Sequence, residues 1–311
     1  MEKAASTVSV FGATGLIGSS VIQALAKNGY FIRIFARDVE KSRRMFPDVG
    51  EHIVWDYTLD DWKEKLEGSA VVMNFSGAPI FQKWKGNYRR EIWNSRVEAT
   101  RQIVDALSRC KEKPAVLING SASGIYGYDS FDDRDIDENT PPGKDFWGDL
   151  VTAWEKEALA AAGLGIRVVL IRTSVVLTMK GGALPQLASV FRKGIGGPIS
   201  PGNQWFPWIH VDDEVGLVMF ALENGNVSGP LNASDPQVPT MNEFAATLGE
   251  VMHRGSRVRI PITVIRLMMG EVANVLARGK KVIPRRAMEL GYRFRFTDLK
   301  AALMDLMGSD S

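Results

Sequence analysis

Hydrophobic positions in the first half of the chain fall into short runs that alternate between two periods. Val8–Phe11 is a nearly continuous apolar run closed by Gly12, as a strand buried on both faces reads. Val21, Ile22, Leu25 and Ala26 follow helical spacing, and Gly29 stands where that helix would stop. Phe31–Ala36 predicts a second strand, Ile53–Trp55 a third, and the run Ala70–Phe75 a fourth that is buried on both faces. Val97–Leu107 predicts a helix, Ala115–Asn119 a strand, Leu150–Ala162 a helix and Val168–Ile171 a strand. This strand–helix rhythm predicts an α/β fold built on a Rossmann-type doubly wound parallel sheet.

The rhythm weakens after Leu177. Gly181-Gly182, Gly194, Gly196-Gly197-Pro198 and Pro201-Gly202 mark a loop-rich stretch. Val215–Leu222 predicts a helix and Pro230–Ala233 one more short strand. Phe244–Val251 and Ile262–Leu276 predict helices of a smaller, mostly helical C-terminal lobe, with Pro261 in a first turn and Gly279 at an end. The expected organisation is a dinucleotide-binding domain over 1–180, to which 208–240 return, and a small C-terminal domain over 241–311. Residues 181–207 are expected to contribute to the cleft.

Composition removes several classes of function. The chain has 311 residues, 45% hydrophobic and 24% charged, which are ordinary globular values. Lys plus Arg is 38 and Asp plus Glu is 36, a net charge of +2. Nucleic-acid binders carry a basic excess that is absent here. The single cysteine, Cys110, forbids an internal disulfide and suits a reducing compartment. No stretch approaches the ~20 apolar residues of a membrane span, and Val168–Leu177 is interrupted by Arg172. Met1–Thr7 lacks the apolar segment of a signal peptide, so a cytoplasmic protein is expected, as monomer or homodimer. His52, His210 and His253 are dispersed, and no metal site is expected. A structural hydrogen-bonding role suits His210, with Asp212 or Asp213 capping the helix that follows.

Candidate chemistry begins at Gly12-Ala13-Thr14-Gly15-Leu16-Ile17-Gly18, a G-x-x-G-x-x-G run between strand and helix. Glycine there permits a tight turn and a close backbone approach to a pyrophosphate, and the helix N-terminus offers free N–H groups. Gly12, Thr14, Gly15, Leu16, Ile17 and Gly18 are therefore candidate cofactor contacts. The second strand should end beside the adenine ribose, where an acid selects NAD and a base accepts the 2′-phosphate of NADP. Arg37 occupies that place, followed by Asp38, Lys41, Arg43 and Arg44. NADP is favoured. The competing reading gives Asp38 to the ribose of NAD. Asp56, after the third strand, either accepts from the adenine amino group or caps a local turn.

Further motifs carry a family resemblance: Asn74–Ile80, Asn94-Ser95-Arg96 with Thr100, Ser121–Gly127, Trp154-Glu155, Gly196–Ile199, Gln204–Asp213 and Gly279–Pro284. With the glycine run, they resemble the extended short-chain dehydrogenase/reductases, and in particular the atypical "epimerase family protein" or sugar nucleotide epimerase members. Those members end in a small domain of unknown function. The resemblance runs from about Val8 to Leu306. It implies cofactor contacts at Phe75, Ser76 and Gly77, and at Arg96, where the superfamily normally has Asn. It also implies a small-molecule substrate. The superfamily uses a Ser with a Tyr and a Lys spaced Y-x-x-x-K, the Tyr as general acid/base. No Y-x-x-x-K exists among Tyr30, Tyr57, Tyr88, Tyr126, Tyr128 and Tyr292. Alignment puts Trp147 at the tyrosine position and Val151 at the lysine position. Ser121 matches the retained serine, as a substrate contact or a turn hydroxyl. Tyr126 and Glu155 are the candidate substitute acids. Packing for Tyr126, and pairing with an arginine for Glu155, stand beside that reading. The resemblance thus implies an NADP(H)-binding oxidoreductase or nucleotide-sugar epimerase-like protein lacking its usual dyad. The alternative is a non-catalytic NADP(H)-binding regulator, since some relatives of this type are linked to division of bacteria or plastids.

Three other features remain open at this level. Gln204, Trp205 and Trp208 either line the cleft or pack a core. The basic run Arg278, Lys280, Lys281, Arg285 and Arg286 reads as a solvated face rather than a membrane contact. Cys110, at a helix end with no neighbouring His, reads as inert.

Overall fold

The computed structural model describes residues 6–80, 84–128, 133–256, 258–269 and 273–308. Seven strands form one parallel sheet: β1 (Thr7–Phe11), β2 (Phe31–Ala36), β3 (Glu51–Val54), β4 (Val71–Asn74), β5 (Val116–Ala122), β6 (Arg167–Thr173) and β7 (Gly229–Ala233). Their spatial order is β7-β6-β5-β4-β1-β2-β3. The winding reverses between β1 and β4, which opens a crevice outside the carboxyl ends of the strands.

Alternate residues of each strand feed two cores. On one face Val8, Val10, Ile32, Ile34, Met73 and Ile118 pack against Val21, Ile22 and Leu25 of the Leu16–Lys27 helix and Leu217 and Val218 of the Val211–Glu223 helix. On the other, Phe11, Phe35, Val72 and Leu117 pack against Ile103 and Leu107 of the Val97–Arg109 helix. Each such side chain stabilises the fold by roughly 1.5–3 kcal/mol on burial. A third core gathers Phe191, Phe206, Trp208, Phe244, Leu248 and Leu303 from the C-terminal half. There the Met241–Val251 helix begins with a reciprocal cap between Thr240 and Glu243. Asp213 ties the C-terminal segment to the sheet layer. Its carboxylate accepts from the backbone N–H of Arg295 at 2.8 Å and Phe296 at 2.9 Å, and from the Tyr292 hydroxyl at 3.1 Å.

The structure departs from the sequence expectations at identifiable places. β5 continues to Ala122 instead of stopping at Asn119, and Ser121 stands at the end of this central strand, as expected. The helix expected from Leu150 starts at Phe146, because the Asp145 carboxylate caps it through the Gly148 N–H at 2.9 Å. His210, not Asp212 or Asp213, caps the Val211–Glu223 helix: its Nδ1 accepts from the Asp212 N–H at 3.1 Å. The glycine-rich stretch after Leu177 holds a ten-residue helix, Ala183–Arg192, whose apolar face fills the third core. The single helix expected over Ile262–Leu276 is described as Ile262–Met269 and Ala273–Ala277, with 270–272 outside the described residues. The basic run is a solvated face only in part: Arg278 and Arg285 are exposed, but the run also makes specific contacts. Lys280 is buried and donates to the Tyr126 carbonyl at 2.6 Å, Lys281 pairs with Asp135 at 2.9 Å, and Arg285 pairs with Asp137 at 3.0 Å. These contacts pin the C-terminal segment to the loop after β5.

Candidate functional site

The cleft at the carboxyl edge has two connected halves. The outer half holds about 230 Å³ and is lined by the glycine run, by the β2 end at Phe35–Arg37, by Trp55 and Tyr57, and by Phe75–Pro79. Two of its glycines are needed by the turn itself. Gly12 sits at φ +77, and a Cβ there would lie 2.5 Å from the Phe75 carbonyl carbon. A Cβ on Gly18 would lie 2.3 Å from the Gly12 oxygen. Gly15 differs. Its φ is −81, and an added Cβ would meet only the Gly12 oxygen, at 3.2 Å. Gly15 also opens the Leu16–Lys27 helix without any side-chain cap, so bare N–H groups head the helix there, as anion sites require.

Arg37 stands exposed in the wall of the outer half. Asp38 caps the Val39–Met45 helix, accepting from the Lys41 N–H at 2.8 Å. Asp56 closes a local turn, accepting from the Thr58 N–H and hydroxyl at 2.8 Å each. Those bonds, with a smaller pull from Arg37, hold its carboxyl below the ordinary value. Asp56 is not part of the cleft lining; its neighbours Trp55 and Tyr57 are. A dinucleotide fits this half: a backbone with no room for side chains, a bare helix N-terminus and a guanidinium at the distal end.

The inner half holds about 440 Å³. Leu16, Ile17 and Gly18 form one wall, Gly120–Ala122 and Trp154 another, and Thr173–Val176 a third, while Phe75–Ile80 and Arg96 close the side toward β4. Asn74 fixes the turn after β4, accepting from the Ser76 hydroxyl at 2.5 Å and donating to Thr100 Oγ1 at 3.0 Å and Asn119 Oδ1 at 2.8 Å. The Trp154 indole donates to the same Thr100 oxygen at 2.9 Å.

Ser121, Glu155 and Tyr126 are brought together, through a residue the sequence reading did not assign. The Ser121 hydroxyl donates to Glu155 Oε1 at 2.6 Å. Both Glu155 oxygens accept from Arg172, at 2.9 Å each. Arg172 also donates to the Tyr126 oxygen at 3.0 Å, and the Tyr126 hydroxyl donates to Asn232 Oδ1 at 2.7 Å. Register explains the meeting: Ser121 lies opposite Arg172, and Arg172 opposite Asn232, across β5, β6 and β7. Burial opposes the Arg172 charge, but the bonds and charge of Glu155 raise its pKa above the ordinary value. Burial pushes the Tyr126 hydroxyl up to about 12. Of the three, Ser121 alone lines the cleft. Glu155 carries the arginine pair that its sequence also permitted, and Tyr126 is 2% exposed behind the wall.

Trp147 packs among Trp84 and Phe146, and Val151 beside Tyr126, so the absent dyad is replaced by apolar packing. Gln204, Trp205 and Trp208 line neither half. Gln204 is buried and donates to the Ile199 and Leu276 carbonyls at 3.1 Å each, and Trp208 belongs to the third core. Cys110 is buried, and burial raises its thiol. A second buried acid group lies behind the third wall. The Thr173 hydroxyl donates to Glu214 Oε1 at 2.7 Å, and burial pushes that carboxyl up to about 8. Burial likewise pushes Asp235, just past β7, up to about 7. Asp212–Glu214 reads in sequence only as acidic residues of a first turn, so nothing marked Glu214 as buried.

Comparison with known proteins agrees with this geometry. Residues 8–233 match the NAD dependent epimerase/dehydratase family, and residues 260–306 match a domain of unknown function, DUF1731. The chain belongs to the NAD dependent epimerase/dehydratase family. It is 38% identical over 303 residues to the chloroplastic homolog of epimerase family protein SDR39U1 from Arabidopsis thaliana, covering 97% of this chain and 86% of that protein. It is 35% identical over 305 residues to the SDR39U1 protein of Mus musculus, covering 96% and 99%. The crystal structure of human SDR39U1 (isoform 2) with NADPH superposes with a TM-score of 0.84 at 32% identity, over 97% of this chain and 99% of that one. The UDP-glucuronic acid 4-epimerase of Bacillus cereus in complex with NAD shares the fold, with a TM-score of 0.77 at 17% identity over 97% and 99%. Among the described residues, no helix is long and apolar enough to cross a membrane.

Proposed function

We propose that this chain is an NADP(H)-dependent oxidoreductase of its family that works without a phenolic general acid. The observation that carries the reading is the continuity of the cleft: Gly15 and Phe75–Pro79 line both halves, and the inner half ends on Ser121. Gly12, Thr14, Gly15, Leu16, Ile17 and Gly18 would hold the pyrophosphate, with Phe75, Ser76 and Gly77 along the facing wall. Arg37 would take the 2′-phosphate. The alternative, Asp38 on a ribose, is disfavoured because that carboxylate caps a helix. Asp56 is engaged by Thr58 and would meet adenine through its neighbours. NADPH in the human relative supports the choice of cofactor. The bound nicotinamide would supply or accept hydride.

The chain's own residues limit the chemistry. Ser121 gives its proton to Glu155, so its oxygen faces the cleft mainly as an acceptor. Tyr126 and Glu155 would act by fixing Ser121 and Arg172 rather than by touching substrate. Proton transfer to a ketone then lacks its usual donor, a deficit of roughly 10²–10⁴-fold. The same closed network favours a second reading, an NADP(H)-binding regulator without turnover. A panel of UDP-sugars and simple ketones, followed at the nicotinamide absorbance, separates the two. Slow turnover lost in Ser121→Ala supports the oxidoreductase. Tight NADPH binding with no turnover on any substrate supports the regulator. Robust turnover that survives Ser121→Ala and Tyr126→Phe together overturns this placement of the site.

A further inference from the structure

Arg96 immediately precedes the Val97–Arg109 helix, and its side chain lines the inner half of the cleft. Its guanidinium is wedged in place. A Cβ on Gly77 would lie 2.9 Å from its Cζ, and the Trp154 ring lies 5.5 Å away on another side. Its bonds go to neutral acceptors: the Ala78 carbonyl at 3.1 Å and, more weakly, the Ile92 carbonyl at 3.4 Å. Among the described residues no carboxylate pairs with it. The side chain is half-buried in the cleft wall, and that burial lowers its pKa to about 10.

Two comparisons sharpen the point. Arg172 is buried outright and the fold gives it both oxygens of Glu155, whereas Arg96 is half-buried and has neutral partners only. Of the described side chains that line the inner half, Arg96 alone carries a charge. A desolvated cation without a counter-charge is costly. A planar guanidinium is suited to two parallel bonds with a carboxylate or phosphate. The anions of the cofactor already have places elsewhere, at the Gly12–Gly18 run and at Arg37.

We propose that Arg96 is the receptor for an oxyanion carried by the substrate, a carboxylate or a phosphate, bound in the inner half beside Ser121 and Trp154. This rests on the reading of the outer half as the NADP(H) site, and it moves Arg96 from the cofactor to the substrate. Substrates are then small acids or phosphorylated carbonyl compounds, and uncharged ketones bind poorly.

The test uses the full chain saturated with NADPH, so that the cofactor loop is filled before any anion is added. Malonate and inorganic phosphate are titrated separately by calorimetry. At least one should bind saturably. The Arg96→Met variant should weaken that probe by about tenfold or more, and Arg96→Lys by less. NADPH affinity should move by less than about threefold in both variants. Stronger binding of malonate assigns a carboxylate, and stronger binding of phosphate assigns a phosphate ester. Three results overturn the proposal: neither probe saturates, saturation is unchanged in Arg96→Met, or NADPH affinity falls together with that of the probe. If Arg96→Met does not fold, Arg96→Lys decides by the same selectivity. Failure of the unmodified protein to bind NADPH overturns the cofactor reading itself, and this proposal with it.

Discussion

The two halves of the cleft stand on one sheet edge and share part of their wall, yet they are made of different material. The outer half rests on backbone: Gly12 leaves no space for a Cβ, and Gly15 opens a helix with no side chain over its N–H groups. The inner half is side chains. Ser121, Glu155, Arg172, Tyr126 and Asn232 run as one chain of hydrogen bonds behind its floor. A surface made of backbone keeps its binding capacity through wide sequence change, because the fold itself supplies the donors. Chemistry made of side chains changes when one side chain does. On the alignment that the family resemblance implies, Trp147 and Val151 take the places of a Tyr and a Lys, and both pack among apolar neighbours beside an intact sheet. Fold and reaction are separable here, as is general for sites grafted on common folds.

The largest expected effect falls on the backbone loop that the two halves share at Gly15. Gly15→Val should weaken NADPH binding by more than about 1,000-fold, because a branched side chain would fill the space left for the pyrophosphate. Its melting temperature should stay near that of the parent, since Gly15 has an ordinary φ. Gly18→Ala should do the reverse and destabilise the fold, because its Cβ would lie 2.3 Å from the Gly12 oxygen. Thermal melts with and without NADPH check both. A cofactor-induced rise in melting temperature that persists in Gly15→Val would show that this loop does not hold the cofactor.

The next effect concerns the inner half. Arg172→Met leaves Glu155 buried without its partner, at an expected cost of about 3–5 kcal/mol in unfolding free energy. Glu155→Gln together with Arg172→Met removes both charges and should recover a large part of it. Urea unfolding of the two variants decides. Equal loss in single and double variants would mean that the pair is not a coupled unit.

What was legible in the sequence divides along the same line. The succession of strands and helices along the chain follows from apolar runs with period and punctuation, and the glycine loop from spacing alone. Both are local signals. The network is not local. Ser121, Glu155 and Tyr126 are each visible in the sequence, but Arg172 joins them only because parallel register sets β5, β6 and β7 side by side. One signal was present: a lone arginine inside an otherwise apolar buried strand, which has to find a carboxylate. The helix Ala183–Arg192 was hidden for another reason. Glycines crowd its two ends, Gly181-Gly182 and Gly194, and mask the apolar face between them. His210 has the structural hydrogen-bonding role its sequence suggests, but the cap itself is hard to foresee, because an imidazole is an uncommon cap beside two aspartates.

A smaller effect sharpens the cofactor assignment. Arg37→Ala should reduce the preference for NADPH over NADH by about tenfold. This is the low end of the range for a charge-assisted bond, because Arg37 is exposed. Calorimetry with both cofactors on both proteins measures it. Equal affinities in the unmodified protein would return the ribose to Asp38.

The last effect is a pH dependence that belongs to acids buried behind the sheet edge rather than to the cleft lining. Burial raises the Glu214 carboxyl from 4.5 to about 8 and Asp235 from 3.8 to about 7. At intermediate pH the folded protein therefore binds more protons than the unfolded chain, and stability falls as pH rises. For Glu214 the stabilisation is complete below about pH 4.5 and is lost by about pH 8. The slope is at most about 1.4 kcal/mol per pH unit for each proton. His210, whose pKa burial lowers from 6.5, acts in the opposite sense, since stability is lost as it takes up a proton in acid. Measuring above pH 6.5 keeps that contribution small. Urea unfolding at intervals from pH 6.5 to 8.5 should show stability declining and then levelling. Glu214→Gln should flatten most of the decline, with Asp235 leaving a residue near neutrality. Neither half of the cleft has a carboxylate among its described lining residues, so Gly15→Val should leave the slope as it is. A slope unchanged in Glu214→Gln would mean that Glu214 is ionised in the folded protein, and that the wall behind Thr173 admits water.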